Sequence, residues 1–81
     1  MKKSIHVSYF AILREQRGLG NEQVSTYAAT AAELYEELRK RHGFTLPGDR
    51  LRVAINDDFE AWASEVRDGD TLSFLPPVAG G

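Results

Sequence analysis

The residues of this 81-residue sequence best able to do chemistry are its last six, Pro76-Pro77-Val78-Ala79-Gly80-Gly81. The two prolines fix two φ angles and remove two N–H donors, so strand pairing is expected to stop there. Beyond them the chain is expected to run extended, near polyproline II. Val78 and Ala79 offer side chains for a partner to grip. Gly80 and Gly81 have no Cβ, so another protein's walls can close around their backbone. The expected reactive group is the α-carboxylate of Gly81. A carboxylate is a poor electrophile at neutral pH, but ATP converts it to an acyl-adenylate from which AMP departs. Residues 76–81 thus read as a tail for insertion into another protein's active site. Gly81 is the reacting residue and Gly80 gives clearance.

The other candidate groups point elsewhere. His6 and His42 are far apart in sequence, without metal-ligand spacing. His42 closes a helical segment, where a capping role is expected. Asp57, Asp58 and Glu60 lack the spacing and glycine of a calcium loop, and Asp68-Gly69-Asp70 is first a turn signal. The glycine-rich phosphate-loop patterns are absent. There is no cysteine, so neither a thiol nucleophile nor a thiolate metal site exists. The chain is expected to bind no cofactor and no metal of its own.

Composition narrows the partners. Net charge is −2, unlike the basic footprint of a nucleic-acid binder. No apolar run approaches the roughly 20 residues of a membrane span, and no signal-peptide pattern opens the sequence. With 42% hydrophobic and 27% charged residues, a single cytoplasmic globular domain is expected.

The tail needs a domain to carry it. Residues 4–10 alternate, with Ile5, Val7 and Tyr9 on one face and His6, Ser8 and Phe10 on the other. A short helical turn closed by Gly18 follows, then a second strand over 23–28. Thr30 and Glu33 form a capping box ahead of a helix whose Ala31, Leu34, Tyr35 and Leu38 share one face. In this box Glu33 is expected to reach back to the Thr30 N–H. Gly43 ends the helix. Three further strands are expected in residues 51–56, near 59–62, and over 71–75. One helix on one face of a four- to five-stranded mixed sheet, with the first and last strands central, is an α+β layer arrangement of the β-grasp, ubiquitin-like type. Residues 1–75 form this domain and 76–81 the flexible tail. By parity Phe10 and Leu75 point away from the helix, and Phe59 is placed to join them. These three form an expected apolar partner-binding patch on the open sheet face.

Three stretches, "VSYFAILRE", "VAIND" and "VRDGDTLSFLPPVAGG", resemble the small subunit of molybdopterin synthase, in the same order and over nearly the full length. The resemblance implies that an E1-like adenylyltransferase uses ATP to adenylate Gly81. A persulfide sulfur donor on another protein then supplies the sulfur of a C-terminal thiocarboxylate. It further implies insertion of the tail into the large synthase subunit, where the active site lies, in an assembly of two small and two large subunits. There sulfur passes to cyclic pyranopterin monophosphate to form the molybdopterin dithiolene. The family docks its partners through the general face that carries Phe10, Phe59 and Leu75. A sulfur carrier for thiazole or a modified tRNA base, and a ubiquitin-like protein modifier, share the activation chemistry and remain alternatives.

Overall fold

The computed structural model describes residues 1–77. Strand β1 (Lys3–Tyr9) buries Ile5, Val7 and Tyr9 and turns the intervening residues outward. It ends one residue earlier than alternation predicts. Phe10 keeps extended dihedrals but serves as the N-cap of helix α1 (Ala11–Arg17), and Ala11 turns the chain with φ 51°. Gly18, at φ 82°, closes α1 by donating its N–H to the Arg14 carbonyl.

Strand β2 (Asn21–Thr26) begins two residues before the expected 23–28 and also ends two residues earlier. The shift follows from pairing. The Tyr9 N–H already bonds the Gly20 carbonyl at 2.8 Å, and Asn21 stands opposite Ser8. Residues 27–29 are then released to lead into helix α2 (Ala31–His42).

The Thr30 hydroxyl accepts the Glu33 N–H at 3.2 Å, as a capping box requires. The return contact differs from the expected one. Glu33 accepts the N–H of Ala29, not that of Thr30. Two further amides of the first turn, from Ala31 and Ala32, donate to the carbonyls of Ser64 and Trp62. The segment between the fourth and fifth strands therefore satisfies donors that a helix start leaves open. Gly43, at φ 70°, closes α2.

A 3-10 turn (Gly48–Arg50) leads to β3 (Arg52–Ile55) and β4 (Asp58–Glu60), both shorter than expected. The two are joined through Asn56 and Asp57, both at positive φ, as a two-residue hairpin turn demands. Strand β5 (Thr71–Leu75) lies parallel to β1 and antiparallel to β3, giving the sheet order β2-β1-β5-β3-β4. The turn before β5 locks the parallel pair. Asp68 Oδ1 accepts the Ser4 N–H, and Gly69 donates to the Ser4 carbonyl at 2.8 Å.

Ala31, Leu34, Tyr35 and Leu38 of α2 pack on Ile5, Val7, Val53, Leu72 and Phe74, all buried. Tyr35 meets Phe74 at 5.2 Å between ring centroids, and Trp62 stacks on Phe74 at 5.9 Å. Truncating one such leucine to alanine costs on the order of 2–5 kcal/mol. No helix among the described residues is long and apolar enough to cross a membrane.

Candidate functional site

The tail leaves from a central strand. Leu75, the last residue of β5, pairs with Arg52 across the ladder. Pro76 and Pro77 have no N–H to continue it. A groove of about 500 Å³ flanks this exit, lined by Leu75, Pro76, Pro77, Phe59, Arg50 and Arg52 among others. Val78, Ala79, Gly80 and Gly81 lie outside the described residues.

Register fixes what the open face carries. Phe74 stands opposite Val53 and faces the helix, so Leu75 and Arg52 face away from it. Ala54 stands opposite Phe59, which places Phe59 on the same open face as Arg52. The Phe59 ring is 60% exposed, and the Arg52 guanidinium lies over it at 4.4 Å from the centroid. Phe10 is 43% exposed. Tyr9 pairs with Phe74, so Phe10 follows at the Leu75 end of the sheet. The groove brings Phe59, Leu75, Pro76 and Pro77 together; Phe10 does not line it. The opposite end of the face is polar, with His6 Nδ1 at 3.2 Å from Gln23 Oε1.

A second cluster braces the end of α1. Glu22 of β2 accepts two bonds from Arg17, at 2.7 and 2.8 Å, and a third from the Tyr9 hydroxyl at 2.7 Å. Bonding to Arg17 holds the Glu22 carboxyl down at about 2. Burial, aided by the Glu22 charge, raises the Tyr9 hydroxyl well above its usual range. His42 does not cap α2. Its Nε2 is buried 3.5 Å from the Glu22 carboxylate, with no hydrogen-bond partner among the described residues. Burial lowers its pKa below the ordinary imidazole value. This cluster holds β1, α1, β2 and α2 together at one end of the sheet. Among the described residues no group of acids and histidines could hold a metal ion.

Residues 9, 17, 22 and 42 share no spacing in sequence, so only the tertiary fold reveals the brace. Arg52 was equally hidden. One signal pointed to it: a charged residue between the apolar Leu51 and Val53 must take the open face.

A five-stranded mixed sheet with β1 and β5 at its centre, covered by one long helix and releasing its chain end from the central strand β5, defines a ubiquitin-like β-grasp protein. Residues 7–81 match the model of the ThiS family, and the chain belongs to that family. A Haemophilus influenzae relative, named molybdopterin synthase sulfur carrier subunit, is 35% identical over 80 residues, covering 95% of this chain and 99% of the relative. SAMP1 from Haloferax volcanii superposes with a TM-score of 0.79 at 27% identity, over 96% of this chain and 99% of that one. A structure from Helicobacter pylori, the complex of subunits 1 and 2 of molybdopterin-converting factor, matches with a TM-score of 0.64 at 28% identity, over all of both chains.

Proposed function

We propose that this chain is the sulfur-carrier subunit of a molybdopterin synthase. The observation that carries the reading is the 35% identity, over nearly the full length of both chains, to the Haemophilus influenzae carrier subunit. The exit of the chain from a central strand through Pro76-Pro77 supports it. Residues 76–81 act as the threading tail. Gly81 attacks the α-phosphorus of ATP on an E1-like adenylyltransferase, and pyrophosphate leaves. The outer sulfur of a persulfide on another protein then attacks the acyl carbon, and AMP leaves. A thiol cleaves the resulting S–S bond and frees the thiocarboxylate. Gly80 lets the tail pass through a narrow channel because it has no side chain.

The domain's part is positioning. A rigid sheet fixes the tail root, so only a few residues need ordering on insertion. The large subunit receives the tail and docks on the open face, where the exposed Phe10 and Phe59 supply apolar contact and Leu75, half-buried, adds less than its place at the end of the strand predicts. Its active site transfers sulfur to cyclic pyranopterin monophosphate, with two small subunits supplying the two sulfurs of the dithiolene. The Helicobacter pylori complex supports a large-subunit partner of this kind. Isolation of the chain from its native cells, followed by intact mass measurement, tests the proposal. A thiocarboxylate on Gly81 and co-purification with a large synthase subunit are expected. A chain joined through Gly81 to lysines of other proteins would overturn the proposal in favour of a protein modifier.

A further inference from the structure

The arginines of this chain are used unequally. Arg17, Arg39, Arg41 and Arg67 each have a carboxylate within 4.0 Å. Arg14, Arg50 and Arg52 have none among the described residues, and their side chains donate no hydrogen bond there; Arg14 does not line the groove at the tail root, which leaves Arg50 and Arg52. Both are exposed, and both line the groove from which the tail leaves. Asp49 lines the same groove but pairs with neither.

Arg52 is also held in place. Its guanidinium lies over the Phe59 ring, and its backbone pairs with Leu75. Stacking occupies the flat face of a guanidinium and leaves its N–H edge open. That edge is the part that grips a carboxylate with two parallel bonds. A pre-ordered arginine loses less rotamer freedom when it binds than a free one would. A groove lined by the apolar Phe59, Leu75 and Pro76 thus also carries two cations that have no carboxylate partner among the described residues.

We infer that Arg50 and Arg52 form a charge-reading collar at the root of the tail. The collar selects a large subunit whose tail-entry rim carries carboxylates next to an apolar lip. This rests on the proposed function and adds the residues and the chemistry by which the partner is chosen. A partner covering the groove without acidic groups would bury two guanidinium ions unpaired, which strongly disfavours binding. A nucleic acid fits poorly, because the chain is net negative and Asp49 sits in the groove.

The test uses the full chain and the purified large subunit from the same source organism. Arg50→Glu and Arg52→Glu, singly and together, are compared with Arg50→Lys and Arg52→Lys by calorimetric and stopped-flow binding. Circular dichroism and a thermal melt check each fold. The double reversal is expected to weaken binding by at least about tenfold, mostly through slower association at low salt. The lysine variants should retain the salt dependence and lose less affinity. Binding that survives the double reversal within about twofold, with its salt dependence intact, would overturn the collar and leave the proposed function standing. A defect confined to adenylation by the activating enzyme would also overturn it. Failure of the unaltered chain to bind the large subunit would overturn the proposed function and the collar with it.

Discussion

Phe59 offers the sharpest test of the open face. Its side chain is 60% exposed, so about 120 Å² remains open if a whole aromatic side chain presents roughly 200 Å². Complete coverage by a partner at about 25 cal/mol per Å² would contribute about 3 kcal/mol. Partial coverage and the ordering of neighbouring side chains reduce this to about 1.5–2.5 kcal/mol. Phe59→Ala should therefore weaken binding to the large subunit roughly ten- to seventyfold. Folding should change far less. The residue lies on the short edge strand β4, and its ring contacts Arg52 at the surface. A loss of under about 1 kcal/mol is expected. Isothermal calorimetry gives the first quantity and urea unfolding the second. Affinity unchanged within about twofold, in a variant that unfolds normally, would show that the partner does not cover this ring.

Two other predictions concern the tail and the brace. Gly80→Ala adds one methyl group; sulfur transfer should drop sharply while the unfolding free energy from urea titration stays within about 0.5 kcal/mol, and unchanged turnover would mean that the receiving channel has room for a side chain. Stability should fall on acidification in two ranges, because the unfolded chain binds more protons in both. His42, with its folded pKa below 6.5, contributes loss as the pH drops below that value. Glu22, held at about 2 against an ordinary 4.5, contributes loss between those two values, on the order of 1–2 kcal/mol after solvent screening. Urea midpoints measured against pH should show Glu22→Gln flattening the lower range and, because the Glu22 charge favours the protonated imidazole, depressing the His42 pKa further; an unchanged profile would remove Glu22 from the brace.

The sheet was readable where local signals agreed. Thr30 and Gly43 bounded α2 because capping and left-handed closure are local events. Ile5, Val7 and Tyr9 alternated because β1 buries one face only. Boundaries moved where pairing overrode composition. Asn21 and Glu22 look like turn residues, yet they pair with Ser8 and Val7. Phe10 keeps extended dihedrals and is 43% exposed, but as a helix N-cap and not as a strand residue. The expected His42 cap failed for a tertiary reason: β2 brings Glu22 beside the imidazole, and no spacing in the sequence announces that meeting. The Arg52–Phe59 stack likewise depends on the register of a two-residue hairpin. Val78 to Gly81 lie outside the described residues, so their chemistry rests on the residue types alone.

The most direct test of the account is the mass of the terminus after activation. The purified chain is incubated with ATP, the E1-like adenylyltransferase and a persulfide donor, then analysed by intact and fragment mass spectrometry. The expected result is a mass gain equal to exchanging one oxygen for sulfur, located on Gly81 and absent when Gly81 is deleted. The deletion variant should melt as the parent does. A chain that gains no sulfur, or gains it elsewhere than Gly81, would contradict the central claim.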